Sequence, residues 1–446
     1  MCAVVGVINS ANAAKTVYYG LFAMQHRGQE ASGISASFNH HIKTYKNQGL
    51  VSDIFNNEIL NSLQGLMAIG HNRYSTAGSK ESKDAQPIAA NYLLGEISVA
   101  HNGNLINKDE VRDHLIKEGA IFHTNMDTEN IIHLIARSKE NLLKDRILEA
   151  LNIIKGAYCL LIMSRSKLFA IRDKFGIRPL SIGMLEDGGY IVASESCAFD
   201  LVGAKFIRDV RPGEMVIFEE GSDKIESYQI FKECDPRICA FEYIYFSRPD
   251  SVVEGKNVYE VRKNLGKTLA LKNKIKADMI IPVPDSGVPA ALGFSNESKI
   301  PFEMAIVRNH YVGRTFIEPT QEMRNLKVKL KLNPMSSVLK DKSVIVIDDS
   351  IVRGTTSKKI VELLRQAGAR EIHFKIAAPE IKFPDIYGID TPNKDELISF
   401  KSNIEEVRRY IGVDSLEFLE IDELIEGIGR ERRYSLVSFD GDYFVK

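Results

Sequence analysis

The chain has 446 residues, of which 44% are hydrophobic and 26% charged, and its 58 basic and 59 acidic residues give a net charge of −1. A chain of this length is too long for one ordinary hydrophobic core, so we expect two domains. The composition is typical of a soluble globular enzyme. The balanced charge and the lack of a long apolar run exclude nucleic acid and membrane as expected partners. The start lacks signal-peptide features, and five cysteines without a CxxC pair favour a reduced, cytoplasmic setting.

The first half of the chain mixes strand and helix patterns. An apolar run predicts a strand over residues 4–8, and a helix is expected over 17–25. The longest helical pattern covers residues 125–154, where apolar side chains recur mostly at three- and four-residue steps. Three further strands are predicted, over residues 157–163, 168–171 and 190–193. This α+β pattern predicts sheets that stack and bury one face each.

Residues 231–244 form a predicted junction, after which strands and helices alternate. The predicted parallel strands cover residues 277–283, 302–307, 343–347 and 371–377. Helices are predicted over 260–274 and 356–367, and the tail, 402–428, is expected to be amphipathic helix with loops. The alternation predicts a doubly wound α/β domain with its site at the carboxyl ends of the strands.

Cys2 follows the initiator methionine, which is normally trimmed before a small residue. Trimming would place a thiol and a free α-amine, with an ordinary pKa of about 7.7–8.0, on one residue. Such a residue supplies both the nucleophile and the base of an N-terminal nucleophile hydrolase. By itself this pattern leaves open the alternative that Cys2 is a buried structural cysteine.

Five motifs follow Cys2 in order: QHRGQEASG (25–33), GHNRYSTAG (70–78), AQP (85–87), AHNGNLIN (100–107) and TNMDTE (124–129). Together with Cys2 they resemble the class II glutamine amidotransferases over roughly residues 2–230. The resemblance implies an α+β N-terminal nucleophile hydrolase domain, with stacked sheets between helices, that forms a thioester on Cys2.

The same resemblance implies roles for four more residues. The Asn102 side chain and the Gly103 N–H would form the oxyanion hole. Arg73 would bind the α-carboxylate of glutamine and Asp127 its α-ammonium group. The alternatives are a surface ion pair for Arg73 and a helix N-cap for Asp127.

The segment VIVIDDSIVRGTTS (344–357) reads as an apolar strand, an acidic pair and a loop that opens a helix. A phosphate group there could be bound by backbone N–H groups, by hydroxyls and by the positive end of the helix. The two carboxylates could bind ribose hydroxyls and a divalent cation. The alternative is an ordinary strand, turn and helix with an Asp cap. The motif resembles the type I phosphoribosyltransferases, and the resemblance covers about residues 235–395. The phosphoribosyl pyrophosphate-binding residues that it implies here are Asp348, Asp349, Ser350, Arg353, Gly354, Thr355 and Thr356.

Two further segments extend the second resemblance over a domain placed at residues 231–446. PVPDSGVPAA (282–291) is similar to the second site loop, in which Ser286 would help Asp348 and Asp349 to hold Mg²⁺. VRNHYVGRTFIEPTQEMR (307–324) resembles the loop that closes over the substrate in the amidophosphoribosyltransferase family, with Tyr311 and Arg314 as substrate contacts. The family has Arg where this chain has Lys329, which leaves a bidentate phosphate contact there open.

The combined resemblance implies the conversion of glutamine, phosphoribosyl pyrophosphate and water into 5-phosphoribosylamine, glutamate and pyrophosphate, the first committed step of purine synthesis. It also implies a homotetramer or homodimer with purine nucleotide feedback inhibitors. One rival is an asparagine or glucosamine-phosphate synthase, whose second domain would be of another kind. The other is a regulator that senses phosphoribosyl pyrophosphate, but such proteins usually carry a DNA-binding module.

Some members of the family hold an iron–sulfur cluster on four cysteines. The matching positions here are Cys239, Asp385, Ser435 and Ser438, and no cysteine follows Cys239. Carboxylate and hydroxyl oxygens are poor ligands for such a cluster, so we expect a cluster-free chain. The C-terminal helices around Leu416, Leu419 and Ile421 would then brace this region by packing.

Overall fold

The computed structural model describes residues 1–74, 82–309, 332–391 and 393–445. In the first half of the chain these residues form two mainly antiparallel sheets. The strands of the first sheet, in spatial order, are Lys205–Asp209, Ser181–Met184, Tyr190–Ala193, Ala3–Ile8, Met67–Arg73, Ala31–Phe38 and His41–Gln48. Those of the second are Ile225–Gln229, Glu214–Glu219, Lys167–Arg172, Gly156–Met163, Gly95–Leu105 and Ile88–Tyr92.

The two sheets stack face to face and are covered by helices on their outer sides. Val4 and Ile69 of the first sheet share a fully buried cluster with Leu161 and Ala170 of the second. The outer face of the first sheet packs on the helices Ala13–Ala23, Val51–Ile54, Asn57–Ser62 and Cys197–Val202. That of the second packs on Lys108–Lys117, Asp127–Arg137 and Leu143–Ile153. The predicted α+β arrangement of stacked sheets between helices is confirmed.

The helical pattern over residues 125–154 forms two helices rather than one. Asp127–Arg137 and Leu143–Ile153 are separated by an irregular stretch. Within that stretch the carbonyl oxygen of Glu140 accepts a hydrogen bond from Arg146 Nε at 2.6 Å. The buried Arg146 side chain thus gives a hydrogen-bond donor to a backbone carbonyl just after the helix ends. The sequence between the two helices contains no glycine or proline that would predict this end.

The second half contains a parallel sheet with the strand order Met279–Pro282, Ser343–Asp348, Glu371–Ile376 and Ser415–Phe418. The longer helices of this half are Val258–Leu271, Val288–Ser298, Thr355–Gln366, Ile404–Ile411 and Ile421–Ile428. The strand Ser343–Asp348 is buried along its whole length at the centre of the sheet. This is the α/β arrangement predicted for the second half.

Two elements of this half differ from prediction. The predicted parallel strand over 302–307 forms only in part: Phe302 makes an isolated parallel bridge with Ile280, whereas Ile306–Arg308 pairs antiparallel with Leu332–Pro334 outside the parallel sheet. Conversely, Ser415–Phe418 lies in the predicted helical tail but adds a strand to that sheet. Pairing with Glu371–Ile376 outweighs the local sequence preference of so short a segment.

The two halves are joined along a shared core. Arg237–Cys239 pairs in parallel with Arg433–Ser435, and the π-helix Glu242–Phe246 follows directly. Phe175 and Ile177 of the first half belong to the same buried cluster as the second half. Within the described ranges, the structure contains no helix with the length and apolar character needed to cross a bilayer.

Candidate active site

Cys2 lies just before the central strand of the first sheet, beside the end of Met67–Arg73. Its side chain is buried, and its Sγ atom is 3.6 Å from the Tyr74 carbonyl oxygen and 3.5 Å from the Tyr74 amide nitrogen. Burial raises the pKa of the Cys2 thiol, against the opposing effects of the Tyr74 amide and Arg73. The resting thiol is therefore protonated and needs a base to become a nucleophile.

The chain's α-amine lies next to this thiol. Met1 is 1% exposed, and burial is the main cause that lowers the pKa of its amine to about 5. An amine in such a place is uncharged at neutral pH and can accept a proton. In the full-length chain this amine belongs to Met1 rather than to Cys2.

Asn102 and Gly103 follow one another on the buried strand Gly95–Leu105. Asn102 Nδ2 lies 3.5 Å from Ser194 Oγ, which also accepts from the Val4 amide at 3.0 Å and so links Asn102 to the strand that follows Cys2. Gly103 has φ +152°, and a Cβ atom there would stand 2.0 Å from the Ala157 carbonyl oxygen. This backbone conformation and close packing require glycine.

Arg73 and Asp127 are both buried, at 2% and 5% exposure, so the surface ion pair proposed as an alternative for Arg73 is wrong. Asp127 Oδ2 accepts from the Leu105 amide at 2.9 Å, and Oδ1 is 3.4 Å from His101 Nδ1. Burial raises the pKa of Asp127, but His101 and the Leu105 amide outweigh it and hold the pKa below its usual value. The N-cap of the following helix is Met126, so Asp127 is not a cap.

His71 is a site residue to which the sequence analysis gave no role, although it lies in the GHNRYSTAG motif. Its fully buried ring donates from Nε2 to the His101 carbonyl oxygen at 3.1 Å. Burial lowers the pKa of His71 to about 3, so the ring is neutral and is a donor at Nε2. It ties the strand of Arg73 to the strand of Asn102.

Arg27 is the second residue without an assigned role, although QHRGQEASG contains it. Its guanidinium donates from Nε to the Cys2 carbonyl oxygen at 3.0 Å and from Nη1 to Glu195 at 2.6 Å. It also binds Glu242 through Nη1 and Nη2, at 2.9 and 3.0 Å. All three charged side chains are fully buried. The two carboxylates lie 168 and 215 positions away along the chain, which is why local motifs do not reveal them.

The second candidate site lies at the carboxyl end of the central parallel strand, as predicted. Asp348 ends that strand, and the Asp349 amide donates to Asp348 Oδ1 at 2.9 Å. Burial and the Asp349 charge raise the pKa of Asp348. Burial also raises the pKa of Asp349, against hydrogen bonds from Ser286 and Ser350 and the charge of Arg262.

This paired acid suits a divalent cation. A cation between these two buried carboxylates would stabilise their ionised forms, which burial disfavours. The hydroxyl of Ser286 offers a further oxygen ligand of the kind that Mg²⁺ prefers. Among the residues that the structure describes, no three His, Cys, Asp or Glu side chains gather as a metal-binding group. A cation here would therefore complete its shell with substrate oxygens and water.

The loop after the acidic pair is open to solvent. Gly354 has φ +72° and caps the helix Thr355–Gln366, whose first two residues, Thr355 and Thr356, are exposed. Arg353 is also exposed and donates to Glu396 at 2.9 Å. Tyr311, Arg314 and Lys329 lie outside the described residues.

The position expected for a cluster in some family members is occupied by a mixed, buried set. Cys239 is opposite Ser435 in the strand register, and the Ser438 carbonyl accepts from the Lys382 amide at 2.9 Å, close to Asp385 in the chain. Burial raises the pKa of the Cys239 thiol to about 12. One protonated thiol with a carboxylate and two hydroxyls does not fit an iron–sulfur cluster.

Comparison with known proteins identifies a domain family in each half of the chain. Residues 71–200 match the glutamine amidotransferase domain family, and residues 252–382 match the phosphoribosyl transferase domain family. The chain is 48% identical to an amidophosphoribosyltransferase of Rhizobium etli, covering 99% of this chain and 91% of that protein. It is 45% identical to the amidophosphoribosyltransferase of Bacillus subtilis, over 99% of this chain and 94% of the relative.

A solved structure extends the agreement to the whole fold. The glutamine phosphoribosylpyrophosphate amidotransferase of Bacillus subtilis, complexed with ADP and GMP, matches with a TM-score of 0.94 and 44% identity. The match covers 100% of this chain and 98% of that one. The chain therefore belongs to the amidophosphoribosyltransferase family.

Proposed function

We propose that the first half releases ammonia from glutamine with Cys2 as the nucleophile. The Sγ atom attacks the side-chain amide, and the developing oxyanion is bound by Asn102 Nδ2 and the Gly103 N–H. Each donor of this kind is worth about 3–4 kcal/mol in the transition state. Arg73 and Asp127 bind the α-carboxylate and the α-ammonium of glutamine. The observation that carries the proposal is that Cys2, Arg73, Asn102 and Asp127 are all buried, with the charges of Arg73 and Asp127 acting on the Cys2 thiol.

The base in this proposal is the chain's own α-amine. Removal of Met1 would leave the α-amine on Cys2 itself, where an ordinary pKa of about 7.7–8.0 makes it a base near neutral pH. The neutral amine accepts the thiol proton and passes it to the departing nitrogen as ammonia leaves and the thioester forms. Water then hydrolyses the thioester, which releases glutamate and restores the thiol. Arg27 holds the Cys2 carbonyl, so thiol and amine keep a fixed orientation.

The second half transfers this ammonia to the anomeric carbon of phosphoribosyl pyrophosphate. Asp348 and Asp349 bind the ribose hydroxyls, and the set Ser350, Arg353, Gly354, Thr355 and Thr356 binds the 5-phosphate. Asp348, Asp349 and Ser286 would hold Mg²⁺, which would supply positive charge for the departing pyrophosphate. Tyr311 and Arg314 complete the set of residues that bind phosphoribosyl pyrophosphate.

Several further properties belong to the same proposal. The amidotransferase domain covers residues 2–230 and the phosphoribosyltransferase domain residues 231–446. The protein acts in the cytoplasm as a homotetramer or homodimer that purine nucleotides inhibit. The ADP and GMP bound by the Bacillus subtilis relative support this feedback. The donor set at Cys239 supports a chain without an iron–sulfur cluster.

The experiment that tests the proposed function is a mass balance on the purified protein. With glutamine, phosphoribosyl pyrophosphate and Mg²⁺, we expect glutamate and pyrophosphate in equal amounts, together with 5-phosphoribosylamine trapped chemically. Ammonium salts should replace glutamine and give pyrophosphate without glutamate. Glutamate release without any pyrophosphate in the complete mixture would contradict the proposal.

A further inference from the structure

A loop of the second half lies directly on the proposed oxyanion site of the first. We call residues 385–391 the Asp385 loop. Asn104 Nδ2 donates to the Ile386 carbonyl oxygen at 2.9 Å. A Cβ atom at Gly388 would stand 3.0 Å from the Gly103 carbonyl carbon, so the two backbones are in contact. The loop therefore touches the two residues that follow Asn102.

The loop keeps its shape through the carboxylate of Asp385. Oδ1 accepts from the Tyr387 amide at 2.7 Å and from the Ile389 amide at 3.2 Å. The Asp385 amide donates to Thr391 Oγ1 at 2.7 Å, which closes the far end of the loop. Gly388 has φ +109°, a conformation that side chains rarely adopt. One buried oxygen atom thus holds both residues that flank Gly388.

A buried arginine of the first half fastens the loop from the other side. Arg178 donates from Nε and Nη2 to the Tyr387 carbonyl oxygen at 3.1 and 2.7 Å. Its Nη2 atom is 3.6 Å from Asp385 Oδ1, and its Nη1 atom is 3.7 Å from Glu242 Oε1. Arg178 and Asp385 have almost no exposed side-chain surface, so their charges compensate each other where water cannot.

Two other segments contact the Gly103 backbone. A Cβ atom on Gly103 would meet the Ala157 carbonyl oxygen at 2.0 Å, and a Cβ atom on Gly388 would stand 3.0 Å from the Gly103 carbonyl carbon. The direction of the Gly103 N–H depends on its peptide plane, and an oxyanion donor acts only when it already points at the developing charge. Loss of the ordered Asp385 loop would remove the contact between Gly388 and the Gly103 backbone.

We propose that Asp385 is a positioning residue for glutamine cleavage, which orders the Asp385 loop and thereby holds Gly103 and Asn104 beside Cys2. The inference rests on the proposed function of Cys2, Asn102 and Gly103. It assigns to a residue of the phosphoribosyltransferase half a role in the reaction of the other half. Asp385 touches neither substrate and acts through the backbone that it fixes.

The test compares Asp385→Ala, Asp385→Asn and the unmodified full chain. Asp385→Ala should lower kcat for glutamine-dependent synthesis about tenfold or more, because small misplacements of catalytic groups are costly. The KM for glutamine should stay within about twofold, since Arg73 and Asp127 are untouched. The ammonia-dependent rate should also stay within about twofold. Asp385→Asn keeps an acceptor oxygen for both amides and should recover most of the loss.

The matched control is Asp414→Ala. Asp414 Oδ2 accepts from the Ile372 amide and from Arg365, both at 2.6 Å, so it also joins a backbone N–H and a guanidinium within the second half. The Asp414→Ala variant should leave the ratio of glutamine-dependent to ammonia-dependent rates unchanged. Gly388→Ala provides a second test if Asp385→Ala does not fold, because it keeps the carboxylate but crowds Gly103. It should lower the same ratio about tenfold.

Defined results would overturn the proposal. They are an unchanged rate ratio in the folded Asp385→Ala or Gly388→Ala protein, an equal fall with both nitrogen sources, or no recovery in Asp385→Asn. An equal loss of the ratio in Asp414→Ala would also overturn it, since the effect would then not be specific to the loop. Failure of the proposed function itself would look different, because the unmodified chain would form no product from either nitrogen source.

Discussion

The two candidate sites differ in how complete they are before any ligand binds. At the glutamine site the charged side chains are buried beside polar partners, such as Asp127 with the Leu105 amide and Arg27 with two carboxylates. At the phosphoribosyl site the acids Asp348 and Asp349 are buried next to each other and their pKa values are raised. The first site is preorganised, whereas the second gains its balancing charge from the ligands that it binds.

The difference follows from the elements that carry each site. Strands of stacked sheets supply Arg73 and Asn102, and such strands have neighbours on both sides that fix their side chains. At the second site a loop instead follows the end of one strand, and the helix that begins after it exposes Thr355 and Thr356 to solvent. A loop at a strand end can admit a large anionic substrate, whereas a site between strands can hold its catalytic groups in place before glutamine binds.

The largest effect should follow from Cys2→Ala, which removes the nucleophile of the preorganised site. Glutamine-dependent synthesis should fall by about 10³-fold or more, while ammonia-dependent synthesis remains, because the second site is unchanged. Steady-state rates with each nitrogen source measure this. Cys234→Ala is the control and should keep both rates, because the Cys234 Sγ atom lies 3.5 Å from the Pro212 carbonyl oxygen, away from Cys2 and its partners. Loss of both activities in Cys2→Ala would indicate a structural cysteine.

The second effect concerns the acidic pair. Asp348→Asn or Asp349→Asn should lower the rates with both nitrogen sources about 10- to 100-fold, because each source needs the ribose and cation site. Removal of Mg²⁺ by a chelator should do the same, and added Mg²⁺ should restore the unmodified chain. Asp278→Asn is the control, since Asp278 accepts from the Ser343 amide at 2.8 Å at the opposite end of the strand that Asp348 ends. Near-normal ammonia-dependent turnover in either pair variant would refute the assignment.

A third prediction uses the neutral His71 of the glutamine site. Its pKa is lowered from 6.5 to about 3, so the unfolded chain binds the extra proton more readily than the folded one. Stability is therefore highest above pH 6.5 and falls as the pH drops towards 3, with a loss of roughly 2 kcal/mol by pH 5 from this residue. Urea unfolding at pH 7.5 and pH 5 measures it.

In His71→Gln the free energy of unfolding should change less between these two pH values. His41→Gln is the control, since the His41 side chain is 82% exposed, and it should behave as the unmodified chain does. Equal pH dependence in His71→Gln and the unmodified chain would show that His71 is not the source of the acid sensitivity.

The smallest expected signal is the absence of a metal chromophore. The oxygen ligands at positions 385, 435 and 438 and the protonated Cys239 lead us to expect a colourless protein without sulfide, even when it is purified without oxygen. Absorbance near 400 nm and an iron assay measure this. A brown anaerobic preparation with stoichiometric iron would contradict the prediction.

Much of both sites could be predicted from local sequence because their residues lie in short continuous segments. Asp348 to Thr356 is one such segment, and Asn102 and Gly103 are adjacent. The alternating pattern of apolar runs likewise predicted the central strand Ser343–Asp348. Local patterns carry this information when one element supplies both the geometry and the chemistry.

The remainder depends on contacts between distant parts of the chain. Arg27 meets Glu242 and Asp385 meets Arg178 only after the two halves have packed together. The strand Ser415–Phe418 is short and half polar, so its partner strand decides its conformation. The C-terminal region was expected to be braced by helices around Leu416, but Leu416 lies on that strand.

The most direct test of the account follows the nitrogen atom from one site to the other. The purified chain would be given glutamine labelled with ¹⁵N in its side-chain amide, phosphoribosyl pyrophosphate and Mg²⁺, and the amine product would be analysed by mass spectrometry. We predict ¹⁵N in 5-phosphoribosylamine from the unmodified chain, and product from Cys2→Ala only when unlabelled ammonium is added. An unlabelled product, or labelled product from Cys2→Ala, would contradict the account.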